Sequence, residues 1–96
     1  MKATQEQINV IQSHAESIKD GILAHAAGLA QLEKYQPGGS GDLNLRVRWD
    51  LFWSIPKAQR EPIADSIYKG GGNDSHIDTA LRRAFKGIQG LEQFAA

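Results

Sequence analysis

The stretch Thr4–Gln36, TQEQINVIQSHAESIKDGILAHAAGLAQLEKYQ, decides the fold. Its positions Ile8, Ile11, Ala15, Ile18, Ile22, His25, Leu29 and Leu32 follow one another at alternating intervals of three and four. That spacing lays one stripe along a helix, apolar except for His25. Thr4 and Gln7 have the capping-box spacing, in which each side chain satisfies the other residue's backbone amide. Pro37, Gly38, Gly39 and Gly41 stop the helix near Tyr35. Gly21 and Gly28 weaken it by roughly 1 kcal/mol each relative to alanine. A break at Asp20–Gly21 is the alternative, but the heptad phase runs unchanged across both glycines, and a single helix over 4–36 is expected. Its length would be ~48 Å. A 96-residue domain is only about 32 Å across. The overshoot predicts that a second copy covers the seam, with Ile8, Ile11, Ala15, Ile18, Ile22, His25, Leu29 and Leu32 as a homodimer interface and His25 as its buried polar member.

Around this helix the chain reads as one all-α domain over 1–96. Residues 37–42 (PGGSGD) form a glycine-rich joint, with Asp42 as the N-cap of the next segment. Residues 43–53 are ambiguous. Leu43, Leu45, Val47, Trp49, Leu51 and Trp53 alternate with other residues at strand period, while Leu45, Trp49, Phe52 and Trp53 would share a broad aromatic face on a helix. No second strand is visible to pair with the first, so helix is preferred. Pro56 starts a turn or two through Arg60, and Pro62 opens a short helix to Lys69 that ends at Gly70–Gly72. Asp74 or Ser75 caps a last amphipathic helix carrying Ile77, Leu81, Ala84, Ile88, Leu91 and Ala95, flanked by Phe85 and Phe94. The expected architecture is a small helical bundle: a long heptad-patterned N-terminal helix, short middle helices and a C-terminal amphipathic helix.

Composition narrows the chemistry. Eleven basic residues balance eleven acidic ones, and the two parts of the chain hardly differ. There is no net field to steer a polyanion or a membrane surface. Without cysteine there is no disulfide, thiolate nucleophile or cysteine-held zinc. The polar N-terminus MKATQEQINV has no signal-peptide character, and no apolar run reaches membrane length. A cytoplasmic protein without membrane contact is expected.

No motif stands out as catalytic. His14 and His25 lie three helical turns apart, too far to share a metal on one helix. Asp74, Ser75, His76 and Asp78 include the residue types of a hydrolytic triad, but neighbours at a helix start point in different directions. The same stretch lacks the glycine and distal glutamate of a calcium loop. Lys69-Gly70-Gly71-Gly72-Asn73 lacks the Gly-Lys-Ser/Thr of a phosphate loop. No cofactor and no metal is expected. Two basic clusters remain: Arg46 and Arg48, and Arg82, Arg83 and Lys86. They are the candidate partner-binding residues, against the ordinary reading of solvated helix faces with local pairs such as Asp78–Arg82.

Two segments, Arg46-Val47-Arg48-Trp49-Asp50-Leu51-Phe52-Trp53-Ser54-Ile55-Pro56 and Asp74-Ser75-His76-Ile77-Asp78-Thr79-Ala80-Leu81-Arg82-Arg83-Ala84-Phe85, resemble stretches of small phage- and plasmid-borne accessory proteins. That class includes anti-CRISPR proteins, which bind a nuclease or surveillance complex. The resemblance implies a compact adaptor or inhibitor that binds a protein of a host or defence complex and carries no chemistry of its own. The alternative is a small DNA-binding or regulatory protein using Arg46, Arg48, Arg82, Arg83 and Lys86.

Overall fold

The N-terminal heptad pattern folds as two helices. In the computed structural model, which describes residues 2–96, α1 (Gln5–Ser17) and α2 (Lys19–Ala30) meet at Ile18, whose φ of −122° and ψ of 24° leave the helical region. The break falls three residues before Gly21 and is accompanied by a local change of hydrogen bonds. Ser17 Oγ donates to the His14 carbonyl at 2.6 Å. That carbonyl is the one the Ile18 amide would use in an unbroken helix, and the amide turns instead to Ala15 O at 3.3 Å. The ladder restarts at Ile22, whose N–H reaches Ile18 O at 3.0 Å. The capping box of Thr4 and Gln7 is formed as expected.

The bend resolves the length conflict within one chain. The Cα extents are 37 × 27 × 21 Å, so an unbroken helix over 4–36, ~48 Å long, would overrun every dimension. With the turn at Ile18, α1 packs on the C-terminal helix and α2 on the middle one. Ile8, Ile11, Ala15, Ile22 and Leu29 are consequently buried in their own chain, whereas Ile18, His25 and Leu32 are exposed. The expected seam is thus divided between the core and the surface, and His25 is not buried.

A short 3-10 turn (Glu33–Tyr35) leads through the glycine joint to α3 (Leu43–Ser54). Residues 43–53 are helical, and Asp42 caps them by accepting the Leu45 amide at 3.1 Å. The buried face differs from the expected one. Val47, Arg48, Leu51 and Phe52 face inward, while Leu45 and Trp53 are exposed and Trp49 is half-buried.

α4 (Lys57–Lys69) is a single helix that carries Pro62 inside it, where two pieces were expected. Proline removes one helical hydrogen bond at that point. The helix continues because Ile63 and Ile67 share one buried face and Arg60, a turn earlier, is anchored to the Trp53 and Ile55 carbonyls. A Schellman turn ends it: Gly72 N–H reaches Ile67 O at 2.8 Å and Gly71 N–H reaches Tyr68 O at 3.1 Å. Gly71 sits at φ +88°, a conformation that side chains with a Cβ rarely adopt.

α5 (Asp74–Lys86) is the hub, packed against α1, α3, α4 and the C-terminal 3-10 turn Glu92–Ala95. Its N-cap is Asn73, one residue earlier than expected, which accepts from the Ser75 amide at 3.0 Å while His76 Nδ1 accepts the Asn73 amide at 3.1 Å. Ile77, Ala80, Leu81, Ala84 and Phe85 are buried. Past Lys86 the chain turns back, adding Ile88, Leu91 and Phe94 to the same core, with Phe94 edge-on to Phe85 at 6.1 Å. The protein is an all-α bundle, and among the described residues no helix is long and apolar enough to cross a membrane.

The divided heptad stripe makes a sharp prediction. Ile22→Asp places a charge in the core and should cost at least about 3 kcal/mol. Ile18→Asp, four residues away at a 36%-exposed position, should cost clearly less, about 1 kcal/mol. Urea denaturation of both variants checks this, and comparable losses would contradict the break at Ile18.

Candidate functional site

α3 is the element on which the candidate residues converge, and its two sides do different things. Inward, Arg48 is 0% exposed, the one fully buried charged side chain among the described residues. Its Nε and one terminal nitrogen meet the two Asp78 carboxylate oxygens at 3.0 and 3.2 Å. The other terminal nitrogen donates to Phe94 O at 2.7 Å and Ala96 O at 3.1 Å. A guanidinium suits this place because its planar fork of donors can serve a carboxylate and backbone carbonyls at once. Arg48 therefore lies outside any partner-binding surface in this fold. Burial pushes the Asp78 carboxyl up, but hydrogen bonds from Arg48 and Arg82 outweigh that effect and hold it below its ordinary value near 3.8. The Arg82–Asp78 pair, at 2.9 Å, is the i,i+4 pair read from the sequence.

On its outer side α3 faces α2. Asp50 Oδ2 receives Arg46 Nε at 2.8 Å and lies 2.7 Å from His25 Nε2, while Arg46 also donates to the Tyr35 hydroxyl at 3.3 Å. This chain of polar contacts ties α2, the 3-10 turn and α3 together at the surface. The Asp50 and Tyr35 hydrogen bonds raise the Arg46 pKa further above its already high value. Of the five basic residues expected to meet a partner, Arg46, Arg48 and Arg82 are thus held by carboxylates of this chain. Arg83 and Lys86 are exposed and make no ion pair among the described residues.

Beside the Asp50 contacts, α2 and α3 enclose a groove of 430 Å³ lined by Ile18, Gly21, Ile22, His25, Val47, Asp50, Leu51, Trp53 and Ser54. Trp53, 60% exposed, borders it. The indole is in contact with three neighbours: the Arg60 guanidinium lies 5.3 Å from its ring centroid, and Phe52 and Trp49 stand 5.7 and 6.2 Å away. Arg60 is itself pinned to the Trp53 and Ile55 carbonyls at 3.1 and 2.8 Å. An exposed tryptophan fixed by such contacts loses little conformational freedom when it meets a ligand. A Cβ added to Gly21 would meet nothing within 4 Å, so the groove is open along α2.

The groove contains Ser54, His25 and Asp50, yet no relay links them. Ser54 donates to Leu51 O at 2.6 Å, and its Oγ lies 3.0 Å from His14 Nε2, so the hydroxyl proton is committed to a backbone carbonyl. Ser75 likewise bonds to Asn73 in the α5 cap. Among the described residues no three His, Asp or Glu side chains converge as a metal set. Sequence reasoning missed the groove, the Arg60 support of Trp53 and the Arg48–Asp78 pair. A comparison with family models, curated proteins and solved structures finds no match to this chain.

Asp78→Asn leaves the Arg48 charge buried without a carboxylate and should cost about 3–5 kcal/mol near neutral pH. A carboxyl whose folded pKa is depressed contributes stability above its unfolded value and loses it as pH falls through the folded one. The wild type should therefore lose stability below about pH 4, and its margin over Asp78→Asn should narrow there. Urea midpoints measured from neutral to acid pH read this directly, and parallel curves would contradict the buried pair.

Proposed function

We propose that this chain is a non-enzymatic protein-binding module whose α2–α3 groove receives the apolar face of a helix from a partner protein. The observation that carries this reading is Trp53, exposed and rigidly supported beside a 430 Å³ groove lined largely by apolar side chains. Tryptophan anchors next to apolar pockets dominate many protein interfaces. The zero net charge supports a protein rather than a polyanion as partner. The resemblance of residues 46–56 and 74–85 to phage and plasmid accessory proteins makes a host or defence complex the partner class to test first, with the chain acting as adaptor or inhibitor.

A second reading rests on a separate observation. Ile18, His25 and Leu32, spaced seven apart, form the exposed remainder of the heptad stripe, with open space at Gly21 and Gly28 between them. A second copy of the chain could pack along that line as a homodimer.

Gly21→Leu and Trp53→Ala test both readings. The leucine projects into open space and replaces a poor helix former, so its fold should be at least as stable as the wild type. Proteins captured from the natural host should fall about tenfold or more with both variants, the size expected for loss of an interface anchor. Light scattering at high micromolar concentration separates the homodimer, which Leu32→Glu should dissociate. Unchanged capture and unchanged mass in both folded groove variants would contradict the groove as the binding surface.

A further inference from the structure

A second concavity lies away from the groove, where the residues preceding α1 and Ile8 of α1 meet α5. It encloses 110 Å³. Its apolar lining is Ala3, Ile8 and Ala80, of which Ile8 and Ala80 are buried. Lys2, His76 and Arg83 complete the lining together with Thr79, and no carboxylate is among these residues. Lys2 and Arg83 make no ion pair among the described residues. His76 Nδ1 faces Asn73, 3.1 Å from its amide nitrogen and 3.2 Å from its Oδ1, and Nε2 makes no hydrogen bond among the described residues. Thr79 spends its hydroxyl hydrogen on Ser75 O at 2.9 Å. The nearest acids on α5 are engaged elsewhere, Asp78 by Arg48 and Arg82 and Asp74 by the Tyr68 hydroxyl. The concavity thus places three basic side chains, Lys2, His76 and Arg83, around an apolar floor with no carboxylate in its lining.

We propose that this concavity docks an acidic segment of a partner protein that carries one small apolar side chain among its carboxylates. Charge complementarity selects the acid, since the site's cations have no counterion of their own. The apolar floor selects a peptide over a phosphate backbone, because a nucleic acid would leave Ala3, Ile8 and Ala80 without a matching group. His76, Arg83 and Lys86 fall at intervals of seven and three, so the basic side chains continue as one stripe along α5. That stripe is ~15 Å long, the reach of about five extended residues. This site is separate from the α2–α3 groove, and it rests on the protein-binding reading only for the class of its partner.

The test is an amide NMR titration of the full chain with the peptide Glu-Asp-Glu-Val-Glu-Asp-Glu, its Gln/Asn counterpart and a version with serine for valine. A short DNA duplex is titrated in parallel at physiological salt. The acidic peptide should shift the amides of residues 2–3 and 76–86 saturably, and the uncharged peptide should not. Serine for valine should weaken binding about tenfold. Arg83→Glu should weaken it about tenfold as well, with an unchanged melting curve. Absence of these shifts, equal binding of the uncharged peptide, or tighter binding of the duplex would overturn the proposal. Shifts confined to the amides of Ile18–His25 and Val47–Ser54 would overturn it while leaving the groove reading intact.

Discussion

The bundle is organised around a charge with no access to water. Arg48 reaches from α3 to Asp78 on α5 and to the carbonyls of Phe94 and Ala96 at the end of the chain. Stripping a guanidinium of water is costly unless its donors are met, and here they face a carboxylate and two carbonyls. The elements that supply those acceptors must therefore sit at fixed positions around α3. Phe85 and Phe94 meet edge-on within the same junction, so apolar packing and the ion pair specify one arrangement of α3, α5 and the C-terminal turn.

The interior constraint determines what is left at the surface. Asp78 also holds Arg82, and Asp50 holds Arg46 and contacts His25, so much of the basic character of the middle of the chain is neutralised internally. Two of the surface features left outside are an apolar groove bordered by a supported tryptophan and a small cationic concavity between the residues preceding α1 and α5. Those two places differ in chemistry, one suited to an apolar helix face and the other to carboxylates. In the groove the Ser54 hydroxyl is turned to a backbone carbonyl.

The helical class was legible because period and punctuation agree. The Thr4–Gln7 box, Asp42 as N-cap, the glycines after Lys69 and the apolar spacing of α5 all act locally. What failed had non-local or competing causes. The heptad phase is indeed unbroken from Ile8 to Leu32, but phase does not show whether the backbone bends. At the bend the Ser17 hydroxyl bonds to the carbonyl that an unbroken helix would offer the Ile18 amide. Pro62 reads as a boundary, yet packing of Ile63 and Ile67 carries α4 through it.

Site residues were less legible for the same reason. Arg48 stands among charged and aromatic neighbours, and nothing in its local pattern separates it from Arg46. Its partner Asp78 lies thirty residues away and becomes adjacent only when α3 and α5 pack. The support of Trp53 by Arg60 depends likewise on the turn at Ile55–Pro56. The most direct measurement of Arg48 as an interior lock is the hydrogen exchange of its side-chain Nε–H by NMR. The Arg48 Nε–H should be protected and exchange far more slowly than that of Arg83, which faces solvent. Equal, rapid exchange at both arginines would contradict the buried pair and the arrangement of helices built around it.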